Sequence, residues 1–297
     1  MMRILLFLVT NVAVLVVVSL VFQVLGMLGV IPPGGGNDLV SLLIMSAVIG
    51  FTGSLISLFL SKFMAKRSMG VHVIEQPGND VEHWLLQTVA RQAQQAGIGM
   101  PEVGIFDSPD PNAFATGWNR NSALVAVSTG LLQTMTYDEV EAVVGHEVSH
   151  VANGDMVTLT LIQGVVNTFV VFLSRIIGGV VDAALRGNDQ RSGPGIGYFL
   201  ASMIAQVLLS FLATMVVMWF SRHREFHADA GGARLTSRRQ MADALRALQR
   251  GHATADLPSS EFAAFGISGG MGRGLSALFM SHPPLEVRIA ALESAQY

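Results

Sequence analysis

The sequence contains no cysteine in its 297 residues. This absence excludes disulfide bonds, thiolate metal sites, cysteine nucleophiles and lipid attachment through cysteine. A metal site in this chain must therefore take its ligands from histidine, aspartate and glutamate. The chain has 8 histidines and 21 acidic residues from which such a site can be built.

Charged residues are also scarce, since they make up 13% of the chain whereas hydrophobic residues make up 51%. A soluble globular domain carries about 25% charged residues, so this composition predicts a membrane protein rather than a large soluble core. The formal net charge is only −3. Nothing in the charge distribution indicates a nucleic-acid partner.

Long uncharged runs account for this bias, and four of them approach or exceed the roughly 20 apolar residues that cross a bilayer. They lie at about 4–30, 39–61, 156–174 and 196–220. The first run is too long for the apolar segment of a signal peptide, so we predict that it forms an uncleaved hairpin with the second. Asn167 and Arg175 interrupt or end the third run, and a helix buried in a soluble domain is the alternative there.

Basic residues flank these runs unevenly. The loop between the first two runs has no lysine or arginine, whereas Lys62, Lys66 and Arg67 follow the second run. Five arginines follow the fourth run, at positions 222, 224, 234, 238 and 239. Because basic residues concentrate on the cytoplasmic side of membrane proteins, we expect residues 63–155 and 222–297 to face the cytoplasm.

The stretch EAVVGHEVSHVANGD at 141–155 contains His146, Glu147 and His150 in the order H-E-x-x-H. A capping box and valines at helical spacing predict an amphipathic helix here, on which positions i and i+4 share one face. His146 and His150 can therefore bind one ion, while Glu147 is turned aside and can accept a proton from water. Two histidines that only fill space or form hydrogen bonds are the alternative.

A catalytic zinc has three protein ligands and one open position, so the motif requires a third ligand elsewhere. The best candidate is Glu225 in the segment SRHREFHADA at 221–230, where His223 and His227 are rival ligands. Most of the sequence between the motif and this segment belongs to the third and fourth apolar runs. We therefore expect the metal to lie close to the cytoplasmic surface of the bilayer.

Four segments resemble the HtpX family of membrane-bound heat-shock zinc metallopeptidases, which are related to CAAX prenyl endopeptidases. They are HEVSH at 146–150, SRHREFHADA at 221–230, PNAFATG at 111–117 and SHPPLEVRIAAL at 281–292. The resemblance implies one zinc ion per chain, bound by His146, His150 and Glu225, with Glu147 as the general base. Manganese, cobalt or iron could occupy the same ligands.

Three further residues are candidates for the site. Asp229 follows Glu225 by one helical turn and can accept a hydrogen bond from a ligand histidine, although a surface or capping carboxylate is the alternative. His282 and Arg288 are candidates for stabilising the oxyanion of a tetrahedral intermediate. The alternative for both is a turn followed by a helix cap, with Arg288 in a structural ion pair.

The segment at 111–117 is the candidate substrate-binding element. Its resemblance to zinc peptidases implies a strand along which an extended peptide substrate lies, joined by backbone hydrogen bonds. The candidate residues are Asn112, Ala113, Phe114 and Ala115. A loop leading into an edge strand is the alternative.

We therefore predict an α+β zincin-like metallopeptidase domain combined with four transmembrane helices in two helical hairpins. The predicted parts are a hairpin at 1–62, the first part of the cytoplasmic catalytic domain at 63–155, a second hairpin at 156–220 and the second part of that domain at 221–297. Within the first part, the sequence predicts a helix near 80–97 and strands near 102–106 and 123–128.

The resemblance implies cleavage of misfolded or damaged membrane proteins at the cytoplasmic face of the cell inner membrane. Partners would be the bilayer, polypeptide substrates and other membrane quality-control proteases, and the oligomeric state is left open. One alternative is a protease that cuts inside the bilayer, which Glu139, Glu141 and Asp155 near the motif disfavour. Another is a non-enzymatic scaffold or chaperone with a structural zinc, which would require four protein ligands.

Overall fold

The computed structural model describes residues 39–186, 194–254 and 280–294, together with isolated positions between 20 and 27. The chain divides into two compact units. One contains the described residues up to Ser57 together with Leu159–Val217, and the other contains Leu58–Thr158 and the described residues from Met218 onward. The first predicted span at 4–30 lies outside the described residues apart from those isolated positions, so the count of four spans stays a prediction.

The described elements follow one another in a simple order. They are α1 (Leu39–Met69), β1 (His72–Val73), α2 (Asp80–Ala96), β2 (Glu102–Phe106), β3 (Ala113–Gly117), β4 (Ala123–Ser128), α3 (Thr129–Thr134), α4 (Tyr137–Asn153), α5 (Asp155–Arg186), α6 (Ile196–Leu235), α7 (Arg238–Thr254) and α8 (Leu285–Ser294).

Three helices, α1, α5 and α6, are long and apolar enough to cross a membrane. Even the shortest has 31 residues, which at 1.5 Å per residue extends about 46 Å and exceeds a hydrocarbon core of about 30 Å. These helices contain the second, third and fourth runs predicted from the sequence. The third run is therefore part of a membrane-capable helix.

Small residues let the helices of the first unit approach each other. A Cβ atom at Gly50 of α1 would lie 2.6 Å from the backbone nitrogen of Thr168 of α5. A Cβ atom at Gly164 would lie 2.7 Å from the ring of Phe51. Close approach at small residues is the usual way in which helices associate where the surroundings are as apolar as the side chains.

The second unit contains a four-stranded mixed sheet in the order β1-β2-β4-β3. Strands β2 and β4 are parallel, whereas β1 and β3 run antiparallel to their neighbours. Every residue of β4 is buried, because this apolar strand lies inside the sheet and is covered by helices. Fully buried residues of the adjoining core are Leu85, Val89, Leu124, Val125, Val144 and Val148. The predicted helix near 80–97 and strands near 102–106 and 123–128 are present.

The motif helix α4 is fixed at both ends. Thr136 and Glu139 form the predicted capping box, with the Thr136 backbone N–H donating to Glu139 Oε2 at 2.8 Å. At the other end Gly154 adopts a left-handed φ of 68°, a conformation that favours glycine. Helix α5 then begins at Asp155, so a single residue separates the motif helix from a membrane-capable helix.

Candidate metal centre

The structure brings His146 and His150 of α4 together with Glu225 of α6. The two Nε2 atoms are 3.1 Å apart, and Glu225 Oε1 lies 3.3 Å from His150 Nε2. Glu225 Oε2 lies 3.5 Å from His146 Nε2. Zinc–ligand bonds of about 2.0–2.1 Å in a tetrahedral site place neighbouring ligand atoms roughly 3.3 Å apart, so these separations suit one small cation.

Glycine in α6 allows this convergence. A Cβ atom at Gly232 would lie 3.0 Å from the backbone nitrogen of His146, so α6 can cross α4 closely at this point. Glu225 lies about two helical turns earlier on α6, and its side chain is only 4% exposed. A short approach of the two helices thus delivers a buried carboxylate to the imidazoles.

The hydrogen bonds behind the two imidazoles show that the donor set fits a cation. His146 Nδ1 lies 2.9 Å from Asp229 Oδ1, and His150 Nδ1 lies 2.6 Å from Asp155 Oδ2. Because an ionised carboxylate only accepts hydrogen bonds, each Nδ1 carries a proton and a neutral ring directs its Nε2 lone pair toward Glu225. Three lone pairs at this spacing repel one another unless a cation lies among them.

A proton is the alternative occupant of these lone pairs. Burial by itself lowers the pKa of His150, but the hydrogen bonds to Asp155 and Glu225 outweigh it and raise the pKa to about 10. Burial likewise opposes protonation of His146, whereas Asp229 and Glu225 raise its pKa. Protons and a divalent cation therefore compete for the same site.

Arg288 of α8 connects two of the buried carboxylates. Its Nε and Nη2 atoms donate to the two oxygens of Asp229 at 2.8 and 2.6 Å. Its Nη1 atom lies 3.2 Å from Glu225 Oε2. Arg288 is 6% exposed and Asp229 is 2% exposed, so the guanidinium provides the charge that both carboxylates need in the interior. This geometry favours the structural ion pair over the oxyanion role for Arg288.

Asp155 is a supporting residue that the sequence interpretation missed. Its carboxylate accepts from His150, and Arg224 Nη1 donates to its backbone carbonyl and lies 3.5 Å from its Oδ1. Because Arg224 immediately precedes Glu225, its contacts with Asp155 join the segment that contains Glu225 to the carboxylate that accepts from His150. The signal available in the sequence is that Asp155 lies only five residues after His150 and directly follows Gly154, a residue type that commonly ends a helix.

The remaining predicted residues take distinct positions. Glu147 is half-buried, and its charge adds a smaller contribution to the raised pKa values of His146 and His150. His282 Nδ1 lies 2.7 Å from Glu225 Oε2, and this side chain is 59% exposed. The rival ligands His223 and His227 are exposed, and neither belongs to the metal-ligand group among the described residues.

Strand β3 contains three of the four candidate substrate-binding residues, Ala113, Phe114 and Ala115. It is an edge strand, since it pairs antiparallel with β4 and has no second neighbour in the described part of the sheet. Asn112 lies just before it, and its backbone exchanges hydrogen bonds with Ser128 at 2.8 and 2.9 Å. Strand β3 packs against α4, so this edge strand lies beside the helix that contains the two histidines.

Comparison with known proteins places this site in a family. Residues 79–296 match the model of Peptidase family M48. The chain is 60% identical over 297 residues to Protease HtpX of Thioalkalivibrio sulfidiphilus, covering 100% of both chains. It is also 60% identical over 294 residues to Protease HtpX of Pseudoalteromonas atlantica, covering 99% of both.

A solved structure shares the fold. The crystal structure of S. mikatae Ste24p is similar with a TM-score of 0.68 at 18% identity. The likeness covers 98% of this chain and 64% of that chain, so this chain spans somewhat less than two thirds of that protein. At this identity the likeness concerns the fold alone.

The family match covers most of the chain, and the identity to the curated relatives extends along its full length. An enzymatic family excludes the non-enzymatic scaffold. The described helices also show that the protein has segments capable of crossing a membrane. The chain therefore belongs to the HtpX proteases of peptidase family M48 and is a membrane metalloendopeptidase.

Proposed function

We propose that this enzyme uses zinc to hydrolyse peptide bonds of misfolded or damaged membrane proteins at the cytoplasmic face of the inner membrane. The observation that carries the proposal is the convergence of His146, His150 and Glu225, with a carboxylate behind each histidine. The group contains three protein ligands among the described residues, which is the number typical of a catalytic rather than a structural zinc.

Each side chain has a separate role in this mechanism. His146, His150 and Glu225 would hold the zinc ion, which would supply Lewis acidity and lower the pKa of a bound water to about 7. Glu147 accepts the proton from the attacking water and returns it to the leaving amine. His282 is exposed beside Glu225 and donates to the oxyanion of the tetrahedral intermediate.

The substrate pairs with the free edge of β3 in extended form. Backbone pairing of this kind recognises little side-chain identity, which suits an enzyme that cleaves diverse damaged proteins. The membrane-capable helices favour membrane-protein substrates, and the basic residues that follow the second and fourth runs favour a cytoplasmic site. Cleavage inside the bilayer is disfavoured because Asp155 and Arg224 surround the site with charge.

A substitution at Glu147 tests the mechanism. Glu147→Gln should keep its metal content but lose proteolysis of an unfolded membrane substrate, because only the proton acceptor is removed. Glu141→Gln is a matched control on the same helix, where Glu141 accepts from Arg91 at 2.6 Å. Proteolysis that persists in Glu147→Gln but disappears on metal removal would contradict the role of Glu147.

The absence of cysteine makes the proposed orientation easy to test. Single cysteines introduced at Glu75 and Asn188 can be labelled with a membrane-impermeant maleimide in intact and permeabilised cells. We expect Asn188→Cys to react in intact cells and Glu75→Cys to react only after permeabilisation. The reverse pattern would place the catalytic part on the opposite side.

A further inference from the structure

Several elements of the second unit meet at one end of the sheet. Glu102 pairs with Leu124 in the register of β2 and β4, and Gly117 pairs with Ala123 in the register of β3 and β4. The start of β2, the end of β3 and the start of β4 therefore lie side by side. This end of the sheet contacts the last turns of α1.

The contacts between α1 and the sheet are both ionic and aromatic. Lys62 forms a salt bridge to Glu102 at 2.7 Å, and Lys66 pairs with the same carboxylate. The rings of Phe59 and Trp118 lie 5.9 Å apart. The end of the sheet is thus held against the part of α1 where its apolar run gives way to lysines.

The loop after β3 is a turn held by several hydrogen bonds. Asn119 Oδ1 accepts from the backbone N–H of Asn121 at 2.7 Å, and the N–H of Ser122 donates to the Asn119 carbonyl at 3.2 Å. Asn121 Oδ1 in turn accepts from the N–H of Gly99 at 2.9 Å. These bonds fix the backbone that presents Trp118 and Arg120.

Large apolar side chains at this end of the sheet are left exposed. The exposed fractions are 58% for both Phe59 and Phe63, 48% for Met100 and 46% for Trp118. Arg120 is also exposed, and within the described residues no carboxylate forms a salt bridge with it. A cationic side chain beside a cluster of exposed aromatic rings is typical of a membrane–water boundary.

We propose that Phe59, Phe63, Met100, Trp118 and Arg120 form a lipid-docking patch, with the apolar members at the boundary between acyl chains and headgroups. Arg120 binds the phosphate of an acidic phospholipid. Continuity with α1 identifies lipid as the occupant. The uncharged run from 39 to 61 extends about 35 Å at 1.5 Å per residue, so Phe59 near its end lies where a core of about 30 Å ends.

The patch has a consequence for the enzyme, which rests on the proposed role of β3. Trp118 directly follows Gly117, the last residue of β3. Docking therefore fixes one end of the substrate strand at the lipid surface. A peptide paired with β3 would reach the metal centre from the membrane rather than from bulk solution.

Tryptophan fluorescence tests the patch, because the chain has only 3 tryptophans. The variant Trp84→Phe/Trp219→Phe leaves Trp118, and Trp118→Phe/Trp219→Phe leaves Trp84 on α2, where it packs against Tyr137 at 4.6 Å. Both proteins are reconstituted in vesicles of phosphatidylcholine and phosphatidylglycerol whose acyl chains carry bromine at a shallow or a deep position. A cooperative thermal transition, followed by circular dichroism, confirms that each variant is folded.

We expect Trp118 to be quenched more strongly by the shallow bromines than by the deep ones, and Trp84 to be quenched by neither. Trp118 that is quenched no more than Trp84 would overturn the proposal. This readout needs no proteolysis, so a failure of the proposed function would leave it unaffected.

A second arm tests the acidic lipid. With bromine placed only on phosphatidylglycerol or only on phosphatidylcholine, quenching of Trp118 should favour phosphatidylglycerol by up to about fivefold. Arg120→Gln should remove this preference, whereas Arg91→Gln should retain it because Arg91 is paired with Glu141. Added inorganic phosphate should not abolish it. Equal quenching by the two lipids in the unsubstituted Arg120 background would overturn the assignment of Arg120.

Discussion

Two ionic clusters in the second unit use similar chemistry in opposite surroundings. At the metal centre, Arg288 lies between the carboxylates of Asp229 and Glu225, and all three side chains are at most 7% exposed. At the end of the sheet, Glu102 lies between Lys62 and Lys66 and remains 39% exposed. The buried charges have no water to replace a lost partner, whereas the exposed charges do.

The number of ion pairs therefore says little about how much each pair contributes to stability. A buried carboxylate without its cation carries the full cost of desolvation. An exposed carboxylate is rehydrated, and its pairing is weakened by salt. The two clusters should therefore respond very differently to substitutions that look alike.

The largest effect is expected from Arg288→Met. Removal of the guanidinium deprives the buried carboxylates of Asp229 and Glu225 of the cationic side chain that lies between them, which should lower the free energy of unfolding by about 3–5 kcal/mol. Thermal unfolding of the metal-loaded protein in detergent measures the change. Arg246→Met is the control, because Arg246 is 40% exposed in its pairs with Asp243 and Glu293, and its loss should cost about 0–1 kcal/mol. Equal shifts in Tm would contradict the comparison.

Asp229→Asn should have the next largest effect. The amide cannot supply the negative charge that orients His146 and holds Arg288, so metal affinity should fall toward the upper end of a range of about 10–100-fold. Competition with a chelator at fixed pH measures the affinity. Unchanged affinity would show that Asp229 serves only the ion pair with Arg288.

Asp155→Asn should weaken metal binding less than Asp229→Asn. The pair of His150 and Asp155 is more exposed, at 15% and 11% of the two side chains, so water can replace part of the lost interaction. We expect a loss of about tenfold in metal affinity, measured by the same competition. A greater loss than in Asp229→Asn would reverse the order that burial predicts.

The smallest effect is expected from Glu102→Gln. Partial burial opposes the charge of Glu102, but hydrogen bonds from Lys62 and Lys66 outweigh it and lower its pKa from the ordinary value of 4.5. Because the pKa of this carboxyl is lower in the folded protein than in the unfolded chain, its charge stabilises the fold at any pH above the unfolded-state pKa. That stabilisation is lost as the pH falls through the lowered pKa of the folded protein. At neutral pH, Glu102→Gln should therefore lower the free energy of unfolding by at most about 1 kcal/mol. At high salt or strongly acidic pH, the variant and the unsubstituted protein should be equally stable. A difference that persists in acid would mean that the lysines do more than pair with the charge.

Much of the metal centre was predictable because it depends on local helical geometry. The spacing of His146 and His150 places both rings on one face of α4, and the capping box at Thr136 and Glu139 is confirmed. Glu225 could be proposed from its segment and from family resemblance, and the structure brings it to the histidines. Its role as a ligand remains a proposal.

Other features depend on contacts between distant residues, or on the backbone conformation of a single residue, and helical periodicity does not specify either of these. Asp155 contacts His150 across the left-handed Gly154 that ends α4, whereas the sequence interpretation treated Asp155 as no more than a nearby charge. The order β1-β2-β4-β3 requires a crossover between β2 and β4, and strand propensity does not specify it. Arg288 could be paired with Asp229 only after α6 and α8 had been placed together.

Helices α4 and α5 are joined by a single residue, Gly154, so the end of one helix cannot move far from the start of the other. Asp155 is the first residue of a helix that is long and apolar enough to cross a membrane, and its carboxylate also forms a hydrogen bond with the imidazole of His150. A rotation of α5 about Gly154 would move the Asp155 carboxylate away from the His150 ring. The loss of that hydrogen bond would change the basicity of His150 Nε2. We therefore expect a displacement of the first turn of α5 to change metal binding at His150 even when none of the three ligands is altered.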